Sequence, residues 1–145
     1  MHGRFPLFYG DREWRSSEAL YQALRFPGET AIHDAINAAS NAMEAKRKAY
    51  EFIERTRADW QDVKVPNMEK VLRLKCEQHP TSIDAVLEQT FDLAIVEKSK
   101  NDPFWGARPD GNGNLVGENV LGILWELMRF ERRNGFFVGE VCLEL

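Results

Sequence analysis

The chain has 145 residues, 43% of them hydrophobic and 29% charged, and a net charge of −4. That length suffices for one domain with its own core, and the acidic balance argues against a strongly basic nucleic-acid clamp while allowing a local basic patch. Two cysteines without CxxC spacing, Cys76 and Cys142, make no disulfide framework, and no run of about 18 apolar residues offers a membrane span.

The opening residues "MHGRFPLFYGD" lack a charged-then-apolar leader, so a soluble protein of cytoplasmic type is expected. "FPLFYGDREWR" sets Gly10-Asp11 between two aromatic-rich runs, the signature of a tight hairpin. Ser16 or Ser17 offers an N-cap for "EALYQALRF", with Glu18 in the first turn where the helix dipole favours a carboxylate; Pro27-Gly28 stops that helix. Thr30 is expected to cap a second helix carrying Ile32, Ala35, Ile36 and Ala39 at helical spacing. A third begins at Ser40 or Asn41, where Asn41 and Glu44 have capping-box spacing, and runs to about Glu54. Asp59 can cap "WQDVKV", but Pro66 predicts a break there and a fresh helix from Pro66 to about Gln78. Thr81 or Ser82 starts a short helix through Leu87. "DLAIVEK" is short, apolar and β-leaning. A loop over 100–122 holds five of the ten glycines, and the last helix is expected from about Glu118 to Arg132. The tail "FFVGEVCLEL" alternates apolar and polar residues and is expected to add a strand. The fold class is α+β, a mostly helical single domain over residues 1–145 with a small hairpin or sheet.

Several kinds of chemistry lack their signatures. His2, His33 and His79 are far apart, with no HExxH and no Cys/His spacing, so no metal and no cofactor is expected. There is no GxSxG elbow, and "GARPDGNGNLVG" is neither a Walker loop nor a dinucleotide fingerprint. More informative is the first helix. Glu18, Tyr21, Gln22 and Arg25 fall at i, i+3, i+4 and i+7, one stripe of one face, beside an apolar stripe of Leu20 and Leu24. A solvated polar ladder is one reading; a carboxylate in a cleft with Arg25 as an anion-binding neighbour is the other. Lys46 lies four residues before Tyr50 on the third helix, and a plain exposed lysine is its simplest explanation. Trp60 and Trp105 suit either core packing or a ligand-facing ring. Asp102 before Pro103 fits a turn, and Asn119 fits a helix cap.

The order of these pieces resembles the NADAR family, also called YbiA-like. The resemblance rests on "WRSSEALYQALRFP", "MEAK", "RADWQDVKVPNMEKVLRLK", "LAIVEKSKNDPFWGARPDGNGNLVGENVLG" and "LWELMR", and covers about residues 5–130. It implies an N-glycosidase, a hydrolase of a bond between ribose C1 and nitrogen. Glu18 matches the family glutamate and is the first catalytic candidate, with Asp102 second. Breaking the bond builds positive charge at C1, which a carboxylate beside it stabilises. Arg25 and Lys46 are then expected to hold the substrate's phosphate or ribose oxygens, with Tyr21 and Gln22 also substrate-binding. Trp60 and Trp105 offer ring faces to a base. Gly106, Gly117 and Asn119 are expected to shape a ligand-facing loop with inward N–H groups. The implied partner is an ADP-ribose-type or ribosyl-nucleotide substrate, with ADP-ribosylated DNA or RNA among the candidates and no membrane. The expected reaction is release of ADP-ribose from a guanine base; cleavage of ribosylamino intermediates of riboflavin synthesis is the alternative. Departures from the family pattern are the start, which falls almost at the "GRFPLF" equivalent where relatives usually have a preceding Leu-Ser-Asn-like segment, Pro66, and the tail 131–145. A binding module for ADP-ribose or an NAD-related ligand, without catalysis, is therefore a third expectation.

Overall fold

In the computed structural model, which describes residues 5–145, the aromatic runs around Gly10-Asp11 pair as an antiparallel hairpin. Strand β1 (Leu7–Tyr9) meets β2 (Arg12–Trp14) in the register Leu7–Trp14, Phe8–Glu13 and Tyr9–Arg12. Gly10 and Asp11 both take positive φ, 62° and 59°, the backbone a two-residue primed turn requires. Four helices follow: α1 (Ser17–Ala23), α2 (Thr30–Asn37), α3 (Ala42–Tyr50) and α4 (Trp60–Gln78), with one 3-10 turn at Ile53–Arg55. The chain divides into two compact units, Met1–His79 with Gly139–Leu145, and Pro80–Val138.

In the first unit α1 is the central element, packed on α2, α3 and α4. Ser16 caps it, its hydroxyl accepting from the Ala19 amide at 3.0 Å. Leu7, Trp14, Leu20, Leu24, Phe26 and Ile36 form the fully buried core. Glu29 rather than Thr30 stands at the N-cap of α2, with no side-chain cap bond. Asn41 caps α3 as its spacing predicts, accepting from the Glu44 amide at 2.9 Å. The Glu44 carboxylate reaches past it to the amide and hydroxyl of Ser40. That helix stops at Tyr50, short of the Glu54 expected. Both described histidines are structural. His33 and His79 place a ring nitrogen on the Phe26 and Pro6 carbonyls, at 2.8 and 2.6 Å; a carbonyl only accepts, so that nitrogen carries the proton. His2 lies outside the described residues.

Two expectations for this unit are overturned. No break occurs at Pro66, which is exposed inside the continuous helix α4. The buried positions Trp60, Asn67, Met68, Val71, Leu72 and Lys75 stay in phase across it, so one packed face keeps the helix running despite the missing N–H. The tail forms no strand. Its backbone is held by the Tyr9 hydroxyl, which accepts from the Leu143 amide at 2.6 Å, and Arg57 pairs with Glu144 at 2.9 Å.

The second unit pairs α5 (Pro80–Glu88) with α6 (Val120–Arg133) and carries a short hairpin, β3 (Arg108–Pro109) with β4 (Leu115–Val116). Pro80 opens α5, where a missing N–H costs nothing. "DLAIVEK" is not a strand: beyond a single bridge from Lys98 to Ala107 it is irregular, with Leu93 and Val96 exposed. Side chains take the backbone groups a ladder would use. Ile95 N–H donates to Glu126 at 2.7 Å, the Asn119 amide donates to the Ile95 carbonyl at 2.8 Å, and Glu97 N–H donates to Asn119 Oδ1 at 2.9 Å. The α+β, mainly helical class is as the sequence predicts.

Candidate active site

One turn of α1 sets the polar stripe of the first unit. Ser16 fixes the helix start, so Glu18 lies in the first turn and is half-buried, with Gln22 one turn on and 1% exposed. Gln22 Nε2 donates to Glu18 Oε1 at 2.7 Å. A carboxylate can only accept, which orients the amide and directs Gln22 Oε1 elsewhere. That oxygen is buried with no partner among the described residues.

Arg25 follows just past the end of α1, which stops at Ala23. Its guanidinium lies 4.6 Å from the Trp60 ring centroid and 5.2 Å from that of Tyr50, and Lys46 Nζ lies 5.9 Å from the same Tyr50 ring. Tyr21, almost fully buried, packs on Trp60 with centroids 5.3 Å apart. The Trp60 turn is tied to the end of α1 by a bond from Arg57 N–H to the Arg25 carbonyl at 2.9 Å. Two aromatic rings thus hold Arg25 in place, while its buried Nε has no partner among the described residues. A cation fixed by stacking rather than by a carboxylate keeps its charge available to an anion. The structure brings Tyr21, Arg25, Lys46 and Trp60 into one cluster, with Glu18 and Gln22 along the same stripe. It also gives Trp60 a different part from the open platform the sequence suggests: 4% exposed, it supports Arg25. Tyr50 is the residue missed from the sequence, where only its spacing of four from Lys46 signalled it.

The second unit gathers the other candidates on the loop before α6. Ser99 Oγ accepts from Asp102 N–H at 3.0 Å, and Asp102 Oδ1 accepts from the amides of Phe104 and Trp105 at 3.1 and 2.9 Å. Asp102 therefore sets the turn that presents Trp105, a half-buried ring packed edge-on against Phe104 at 5.0 Å. The expected inward-pointing amides are used within the protein. The N–H groups of Glu118, Asn119, Val120 and Leu121 donate to the carbonyls of Pro103, Gly106, Phe104 and Trp105. Gly106 and Gly117 are required by this folding of backbone on backbone. A Cβ at Gly106 would strike the Glu97 carbonyl, and one at Gly117 the Gly106 carbonyl. Asn119 occupies the N-cap position with φ 51° but makes no side-chain cap bond; its amide is committed to residues 95 and 97. Among the described residues no three His, Cys, Asp or Glu side chains are grouped to hold a metal, and no helix is long and apolar enough to cross a membrane.

Comparison with known proteins extends this description. A sequence model of the NADAR domain matches residues 4–133. The chain is 35% identical over 120 residues to the N-glycosidase YbiA of Escherichia coli (strain K12), covering 83% of this chain and 71% of that protein. It is likewise 35% identical over 126 residues to N-glycosidase Npun_R5314 of Nostoc punctiforme, covering 86% and 78%. A 34% match over 118 residues to Riboflavin biosynthesis protein VVA0006 of Vibrio vulnificus takes in 81% of this chain but 30% of that protein. The NMR structure of Escherichia coli YbiA superposes with a TM-score of 0.73 at 31% identity, covering 91% of this chain and 75% of that one. The chain belongs to the NADAR domain family, whose matching relatives include proteins named N-glycosidases, which are hydrolases.

Proposed function

We propose that this protein hydrolyses the bond between ribose C1 and a guanine nitrogen in ADP-ribosylated guanine, with Glu18 as the carboxylate at the reacting carbon. The bond breaks with its electron pair passing to the base nitrogen, which is protonated. Positive charge grows at C1 and the ring oxygen, and a water oxygen adds to C1 as it sheds a proton. A half-buried carboxylate oriented by Gln22 suits that charge, because a preorganised anion acts where charge develops. The observation that carries the reading is Arg25, fixed between two rings with a buried Nε that has no partner among the described residues.

Arg25 and Lys46 flank one Tyr50 ring, and two cations suit the two phosphates of ADP-ribose better than a single phosphate. In this proposal Tyr21 and Trp60 hold Arg25 in register. In the second unit Asp102 positions the Trp105 ring through the amides it accepts from, and Gly106, Gly117 and Asn119 keep that turn in shape. A second reading, cleavage of a ribosylamino intermediate of riboflavin synthesis, is favoured by the name of the relative from Vibrio vulnificus. The deciding experiment incubates the protein separately with an ADP-ribosylated guanine oligonucleotide and with a riboflavin-pathway ribosylamine phosphate. Release of ADP-ribose in the first arm supports the proposal; turnover in the second arm alone replaces it with the second reading. Silence in both, with ADP-ribose still bound, leaves a binding module.

A further inference from the structure

None of the residues used above lines the cavity of about 290 Å³ on the α5–α6 face of the second unit. Arg129 lies in its wall and is nine-tenths buried, with 9% of its surface exposed. Its Nη1 is anchored by donating to Thr90 Oγ1 at 2.7 Å and to the Leu93 carbonyl at 2.8 Å. Those two bonds fix the plane of the guanidinium. Its Nε and Nη2, the edge that grips a carboxylate side-on, have no acceptor among the described residues. Neighbouring arginines show the contrast. Arg132 uses the same edge on both oxygens of Asp84, and Arg133 donates to Asp92 at 2.9 Å.

A buried guanidinium without a counter-ion is costly unless something anionic visits it. The lining sets the ligand's charge and shape. Arg132 is paired with Asp84 and Arg133 with Asp92, so Arg129 is the one guanidinium of the wall with no ion pair among the described residues. A monoanion balances it, whereas a phosphate dianion leaves an excess. Leu87 and Phe137 supply apolar wall, and Phe137 is held by the Arg132 guanidinium 4.7 Å over its ring. The volume lies just below the range of ligand pockets, roughly 300–1,000 Å³, and suits a small ligand.

We infer that this cavity is a second ligand site, binding the carboxylate of a small apolar acid on the free edge of Arg129. The test uses the full chain and follows the Arg129 Nε–H resonance by ¹⁵N NMR during titration with benzoate, inorganic phosphate or uncharged benzamide. Benzoate is expected to shift that resonance saturably, at least about tenfold more tightly than phosphate, and benzamide not at all. Arg129→Lys keeps the charge but loses the planar fork, so benzoate affinity should fall by about tenfold or more. Because Arg129 also anchors residues 90 and 93, Phe137→Ala supplies an independent arm that leaves those bonds in place: it should weaken benzoate and spare phosphate. No shift with benzoate, equal shifts with benzamide, phosphate binding as tightly as benzoate, or unchanged benzoate affinity in Phe137→Ala would each overturn the inference.

Discussion

Glu18 and Gln22 lie one helical turn apart on α1, and their 2.7 Å bond makes the amide the carboxylate's positioning partner. Under the proposed chemistry Glu18→Gln keeps shape and hydrogen bonding but removes the negative charge. Turnover should fall by on the order of 10²-fold or more, while ADP-ribose affinity changes little, since that ligand lacks the leaving base. A melting temperature measured on the same variant separates the alternatives: lower stability with near-normal turnover would mean that Glu18 is only structural. Glu18, Tyr21 and Gln22 on α1 were legible from spacing, because residues at i, i+3 and i+4 share a helix face whatever surrounds them, whereas Arg25 lies past the helix end. The sandwiching of Arg25 was not legible. Tyr50 and Trp60 come from two other helices, and no local pattern encodes their meeting.

Among the elements, Pro66 and Asn119 show local rules being outvoted by packing. Pro66 removes an N–H from the middle of α4, leaving the Asp62 carbonyl without its helical donor. Pro66→Ala restores the donor but loosens the unfolded chain, and the net expectation is a gain of about 1–2 kcal/mol in urea unfolding. A loss would show that the helix is shaped around the proline. Asn119→Ala removes both bonds to the 95–97 segment and leaves a left-handed backbone position to a residue that tolerates it poorly. Hydrogen exchange at the Glu97 amide should therefore accelerate by at least about fivefold, since a lost bond is worth about 1 kcal/mol or more. The Ile95 amide, which donates to Glu126, should keep more of its protection. Equal acceleration at both amides would mean general loosening of the unit instead of loss of one strap. The β-leaning composition of "DLAIVEK" misled because strand propensity describes a fit to a neighbouring strand, and here side chains of α6 and its N-cap fill that role.

For the whole molecule, pH is a probe of how burial differs from composition. Lys75 is buried, with Nζ 4.9 Å from the Phe5 ring centroid, and desolvation holds its ammonium below the ordinary lysine range. Between the native value and the ordinary value of about 10.4, the unfolded chain binds a proton that the native state has lost, so stability rises with pH across that window. The penalty is therefore fully present below the native value. Lys75→Met should be more stable than the parent at pH 7, with the margin narrowing towards pH 10; a margin that ignores pH in urea unfolding would remove this account. On the acid side, backbone amides lower Asp110, and Arg57 lowers Asp59. Each stabilises above the unfolded value and ceases to as pH falls through the native one. The sequence by itself determined the class, the hairpin turn, the cap of α1 and the stripe bearing Glu18, because each depends on neighbours within a turn or two of chain. The tertiary structure decided the continuity of α4, the irregular backbone at 92–98, the ring clamp on Arg25 and the anchored Arg129. Each of those depends on which distant side chains arrive to satisfy a backbone group, stack on a cation or leave it without a counter-ion.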